Sequence, residues 1–177
     1  VYNYIATYHP EIEVDIYLET IPNVFRFLKH TDKIQTTSED KEYDLFICQD
    51  CGDKDRLDFS VPLYDNAKHT FCIDHHISNK KFAEFNYVVP EASSTSELVY
   101  NLLEKEKVSF EVAKALYLGI VHDTGVFQYS CTSPETMEVA ADLMRRNIRA
   151  NEIIDKTIKD TMQKAIELGF ERCKKCW

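Results

Sequence analysis

Apolar residues fall along this chain in short blocks at first and in longer helical stripes later. Val1 to Thr7 reads as the end of a helix, since no N-cap precedes it. Ile12, Val14, Ile16 and Leu18 alternate with Glu13, Asp15 and Tyr17, which predicts a strand with one face more buried. Pro22 predicts the start of a short helix through about Lys29, and residues 31–43 are polar enough to read as a surface connection. Leu45-Phe46-Ile47-Cys48 is a continuous apolar run, introduced by Asp44 and ended by Gln49-Asp50. That is how a strand buried on both faces of a parallel sheet reads. Thr70-Phe71-Cys72-Ile73 repeats the pattern and ends on Asp74-His75-His76; Phe85 to Val89 forms a third such run, closed by Pro90.

The period then changes. Ser94-x-x-Glu97 is a capping box, followed by Leu98, Val99, Leu102 and Leu103 at helical spacing. Val112 to Val121 is apolar on nearly every side, as in a deeply buried helix. Thr132, Ser133 and Pro134 signal another start, with Met137, Ala140, Leu143 and Met144 as the expected buried stripe. Two more helical segments are predicted over roughly 150–158 and 160–172. Strands that alternate with helices and then give way to them predict an α/β fold, with a mainly parallel sheet flanked by helices and a helix-rich C-terminal part.

Composition narrows the function classes. With 44% hydrophobic residues in 177, a packed core is within reach and global disorder is excluded. The chain has only 4 Gly and neither a G-x-G-x-x-G nor a G-x-x-x-x-G-K-[ST] motif, so a glycine phosphate loop has no place. A net charge of -9 argues against a long nucleic-acid surface, which needs many cations to neutralise phosphates. A short anionic substrate stays compatible, because metal ions can supply the positive charge. No apolar run is long enough to span a bilayer and no signal-peptide pattern is seen. Cys48 and Cys72 lie inside apolar runs and read as core thiols, so a reduced, cytoplasmic setting is expected.

Three acids share an uncommon position. Asp50 and Asp74 end apolar strands, and Asp123 ends the buried helix. Ligands bind at the C-terminal ends of strands in open α/β sheets, and an ionised carboxylate is costly to bury alone. His75 and His76 follow Asp74 directly. Carboxylates with imidazole and no thiolate shell suit Mn²⁺, Mg²⁺ or Fe²⁺. One Asp at a strand end is usually a turn or cap residue, and a His pair is usually surface or core; it is the coincidence of all of them that points to a metal.

Those residues also carry a resemblance. Ile73-Asp74-His75-His76-Ile77-Ser78-Asn79 resembles the signature of the DHH phosphoesterase superfamily. Asp44 to Leu57, Ala92 to Glu97 and Gly119 to Phe127 look like its second, following and fourth motifs, in family order. The nearest likeness is to the bifunctional oligoribonuclease and pAp phosphatase branch. The resemblance implies a two-metal site, usually Mn²⁺, with Asp50 bridging both ions and His75 and Asp123 binding one of them. Asp74 would orient the neighbouring imidazole and His76 would face the substrate phosphate. Ser94 and Thr95, at a predicted helix N-terminus, are candidate phosphate contacts or simple caps. Arg56 is a candidate phosphate partner or a surface ion pair; His122 is a further contact or a structural residue. The implied activity is hydrolysis of short oligonucleotides, dinucleotides or pAp. The expected partners are a short nucleotide and a second copy of the chain in a homodimer, with no long nucleic acid and no membrane.

The likeness has gaps. The superfamily's first motif supplies a His and two Asp to the metals, and nothing before residue 44 matches it. The glycine-rich DHHA1 domain is not seen either. Residues 1–150 are therefore expected to be the catalytic domain without its first strand, and 151–177 a helical extension or the start of a linker. Such a chain should bind metal weakly. Two rival readings are an inorganic pyrophosphatase of the same superfamily and a catalytically impaired nucleotide-binding domain. A zinc module built on Cys48-x-x-Cys51 and Cys173-x-x-Cys176 is a third.

Overall fold

A computed structural model describes residues 1–159. The two apolar runs ended by acids become β3 (Leu45–Gln49) and β4 (His69–Asp74), and the third becomes β5 (Phe85–Val88). They form a parallel sheet in the order β3-β4-β5, with Ile47 opposite Phe71, Cys48 opposite Cys72 and Asp74 opposite Val88. Alternation along the strands sends Ile47, Phe71, Ile73 and Tyr87 to one core, and Phe46 and Cys48 to another. Helices on both faces then account for the continuous apolar runs.

The larger core lies between the sheet and three helices: α3 (Thr95–Leu102), α4 (Phe110–Asp123) and α5 (Pro134–Met144). Leu98, Ile120, Val121 and Leu143 are fully buried in it. The smaller core has Tyr64 of α2 (Val61–Asn66) against Phe46, Cys48, Cys51 and Phe82. Ahead of the sheet lie α1 (Tyr2–Tyr8) and a separate two-stranded parallel ladder, β1 (Ile16–Tyr17) with β2 (Ile34–Gln35). After α5 come α6 (Ala150–Ile154) and a π-turn over Asp155–Lys159; the expected helix 160–172 and the second C-x-x-C pair lie outside the described residues. No helix among the described residues is long and apolar enough to cross a membrane.

Several local expectations change. Only residues 16–17 of the alternating stretch are a strand, and Ile12 and Leu18 at its ends are exposed. Its partner β2 lies inside the stretch read as a surface connection. The polar residues there are used internally. Gln35 donates to Asp15 Oδ1 at 3.1 Å, and the Tyr43 hydroxyl to Oδ2 at 2.6 Å, with Lys41 beside them. The helix expected from Pro22 shrinks to one 3₁₀ turn, Asn23–Phe25. In α5 the buried stripe is Thr136, Val139, Ala140 and Leu143, while Met137 and Met144 are half exposed. Thr136 can take the core position because its hydroxyl has a buried acceptor, Glu97, at 2.8 Å. The capping box at Ser94 is half made. Ser94 Oγ accepts from the Glu97 amide at 3.1 Å, but the Glu97 carboxylate turns to Ser93 and Thr136.

Helices α3 and α4 meet at Gly119. A Cβ there would lie 2.0 Å from Ser96 Oγ and 2.9 Å from Ser96 Cβ. The hydroxyl can rotate away, but the Ser96 Cβ can only move with its helix. Gly119→Ala should therefore destabilise the chain by about 1–3 kcal/mol through overpacking. In a urea-denaturation cycle, Ser96→Gly should recover part of that loss in the double variant; additive losses would count against the contact.

Candidate metal centre

Asp50 follows β3 in the left-handed region (φ 58°), a conformation that Asp tolerates better than most side chains. Its amide still donates to Ile73 O at 3.0 Å, so the backbone stays tied to β4 as the chain turns. Asp74, the last residue of β4, is fully buried. His75 and His76 come next, and Asp123 is the last residue of α4. Three element ends separated along the chain thus open on one place.

The distances are short. His75 Nε2 lies 3.5 Å from Asp50 Oδ1 and 3.9 Å from Asp123 Oδ2, and His76 Nδ1 lies 3.8 Å from Asp50 Oδ1. Asp50, His75 and His76 each offer a ligand atom, all within 4.8 Å of one another. Thr95 donates to Asp50 Oδ1 at 2.9 Å, and His75 Nδ1 faces Ala92 O at 3.3 Å. That carbonyl can only accept, so Nδ1 is the nitrogen that donates to it, and Nε2 is the one that faces the two carboxylates and is placed to bind a cation there. A cavity of about 270 Å³ adjoins the cluster, lined in part by Asp50, Thr95, Gly119, His122 and Asp123.

The electrostatics suit a cation. Burial pushes the Asp123 carboxyl pKa up, and the charge of Asp50 pushes it further, against a smaller opposing pull from His75 and His76. A divalent ion among these oxygens and imidazole nitrogens would remove that conflict, and the donor set fits Mn²⁺ or Mg²⁺. Asp74 behaves differently. Burial pulls its pKa up most strongly, yet Asn79 and His76 together hold it below the ordinary range. Asp74 Oδ1 accepts from the His75 amide at 2.8 Å and from His76 Nδ1 at 2.7 Å, and Oδ2 accepts from Asn79 Nδ2 at 2.6 Å. It is a fixed acceptor that ties down the segment carrying the two histidines.

The remaining candidates separate. Thr95 reaches the cluster by holding Asp50. Ser94 is fully buried, and its oxygen serves as the N-cap of α3. Arg56 is exposed on the 3₁₀ segment after β3, and no ion pair among the described residues involves it. The His122 ring meets Phe25 edge-on at 5.3 Å, and burial lowers its pKa. Cys48, Cys51 and Cys72 are buried, and the Cys51 thiol donates to Asp53 O at 3.0 Å, which fits core thiols. Two contributors were not singled out from the sequence. Asn79 was visible only as the end of the His-His segment, and Glu97 only as half of a capping box.

The family model described as DHH family, N-terminal domain, matches residues 1–120. A probable bifunctional oligoribonuclease and PAP phosphatase of Streptococcus mutans is 34% identical over 110 residues, covering 60% of this chain and 35% of that protein. The bifunctional oligoribonuclease and PAP phosphatase of Bacillus subtilis is 31% identical over 150 residues, covering 81% and 46%. An exopolyphosphatase-related protein from Bacteroides fragilis shares the fold with a TM-score of 0.78 at 22% identity, over 88% of this chain and 49% of that one. The chain thus spans less than half the length of each protein it matches here.

Proposed function

The chain belongs to the DHH family, and from that premise we propose that it carries the catalytic core of a cytoplasmic phosphoesterase that hydrolyses short oligonucleotides, dinucleotides or pAp with the help of Mn²⁺. One observation carries the reading: Asp50, His75, His76 and Asp123 converge from the ends of β3, β4 and α4. The curated relatives named for oligoribonuclease and PAP phosphatase activity support the substrate class. Residues 1–150 would be the catalytic domain.

Asp50, His75 and Asp123 would hold the metal. Bound divalent ions would lower the pKa of a water and neutralise charge on the phosphoryl oxygens. The chain's own residues do the rest. Thr95 fixes the rotamer of Asp50, and the Ala92 carbonyl fixes the tautomer of His75. Asp74 accepts a hydrogen bond from His76 Nδ1, which leaves Nε2 as the nitrogen that would face substrate. As water oxygen bonds to phosphorus and the ester P–O bond breaks, a protonated His76 would pass its Nε2 proton to the leaving oxygen.

The test sets a 5′-phosphorylated dinucleotide, pAp and pyrophosphate side by side, with Mn²⁺ or with chelator. Metal-dependent release of mononucleotide from the first two is expected. Cleavage of pyrophosphate alone would favour the pyrophosphatase reading, and turnover insensitive to chelator would overturn the metal assignment.

A further inference from the structure

We propose that Glu97 is a positioning residue, a buried clamp that sets the 92–95 segment against the metal ligands; this rests on the metal-site reading above. Glu97 is buried, and among the described residues no Lys, Arg or His pairs with it. Its Oε2 instead collects neutral donors from two helix starts. Ser93 donates through its amide at 3.3 Å and its hydroxyl at 2.5 Å, and the Thr136 hydroxyl of α5 donates at 2.8 Å. Ser93, Ser94, Thr95 and Thr136 are all buried. A buried acid with three neutral donors and no cation is an expensive way to join two helices, because apolar side chains would pack there at less cost.

The location gives the expense a purpose. The residue before Ser93 is Ala92, whose carbonyl faces His75 Nδ1, and two residues after it Thr95 donates to Asp50. The clamp therefore holds the stretch between two ligand supports and anchors it to α5, whose first turn is itself fixed by the reciprocal Ser133–Thr136 cap. Without it, Ser93 loses its acceptor and the Ala92 carbonyl is free to turn from His75. His75 would then exchange between tautomers, and only one of these presents Nε2 as a ligand.

The experiment uses the 177-residue chain with Glu97→Ala, Glu97→Gln and Thr136→Val. The His75 tautomer is read by long-range ¹H–¹⁵N NMR without metal, well above the ordinary imidazole pKa of about 6.5. Mn²⁺ affinity is read separately, by titration of free Mn²⁺. In folded Glu97→Ala we expect a mixture of tautomers and Mn²⁺ binding weaker by about 10- to 100-fold, as for loss of a ligand's support. Glu97→Gln keeps an acceptor oxygen and should restore most of both. A folded Glu97→Ala with unchanged His75 tautomer and unchanged Mn²⁺ affinity, even with a lower melting temperature, overturns the proposal. Should Glu97→Ala not fold, Thr136→Val decides. A smaller shift of the tautomer in the same direction supports the clamp, and no shift overturns it. A wild-type chain that binds no Mn²⁺ at all would sink the metal reading, while the tautomer comparison would still judge the clamp.

Discussion

Asp50→Asn should abolish measurable Mn²⁺ binding and lower phosphoester hydrolysis by more than about 100-fold, beyond what loss of a supporting contact costs. Asparagine is the informative replacement. Asp50 sits at φ 58°, where Asn is among the few residues tolerated, so the backbone should not move. The Asn oxygen can still accept from Thr95, as Asp50 Oδ1 does at 2.9 Å. What disappears is the charge and one potential ligand oxygen. The carboxyl of Asp123, pushed up by burial and then by the charge of Asp50, should also ionise more readily in the variant. A loss of metal would then not come from a weaker second acid. Thermal melting without metal should stay close to wild type, because Asp50 is half exposed. If calorimetry with Mn²⁺ and the dinucleotide assay both give wild-type values, Asp50 is not a ligand and the metal centre proposed here is wrong.

The parts of the fold that could be read in advance are those where burial and period agree. Strands β3 and β4 are legible because Leu45 to Cys48 and Thr70 to Ile73 are unbroken apolar runs that stop on acids, and both faces of the sheet are in fact covered. Helix α4 is legible for the same reason. Strand β2 is not: two residues carry no period, and its ladder depends on Gln35, Lys41 and Tyr43 meeting Asp15, which no local pattern encodes. The α5 stripe is displaced because hydrophobicity ranks Met137 above Thr136, whereas a hydrogen-bonded Thr beside Glu97 is the residue that fits inside. The same division runs through the candidate site. Asp50, His75 and Asp123 stand out because each ends an apolar element where an unpaired acid or imidazole has no structural reason to be. Glu97 and Asn79 do not, since their roles arise from partners brought in by tertiary packing, such as Thr136 on another helix and the Cys51 carbonyl 3.1 Å from Asn79 Nδ2.

Asp74 shows how far the support beneath the centre is coupled to the fold, and Asp74→Ala should be the costliest single truncation. Three donors would lose a carboxylate acceptor at once: the His75 amide, His76 Nδ1 and Asn79 Nδ2, of which the last keeps the Cys51 carbonyl at 3.1 Å. His75, His76 and Asn79 are only partly buried, so water will satisfy some of what is left; at about 1–3 kcal/mol per unsatisfied group, a loss of about 3 kcal/mol near neutral pH is expected. Asp74→Asn keeps the volume but turns an N–H toward donors, and should be only slightly better. The pH dependence has a definite sign. The Asp74 pKa is depressed in the folded chain, because Asn79 and His76 together outweigh the upward pull of burial. Its ionised form therefore adds stability above the unfolded value of about 3.9, and that contribution fades as pH falls through the lower folded value. In urea titrations, the gap between wild type and Asp74→Asn should hold steady above pH about 5 and narrow below about 4. A gap that widened on acidification would mean that Asp74 is held protonated, and the ordering of His76 by a buried carboxylate would have to be abandoned. Hydrolysis should fall with the same substitutions by about 10- to 100-fold, the usual range for removing the partner that orients an imidazole.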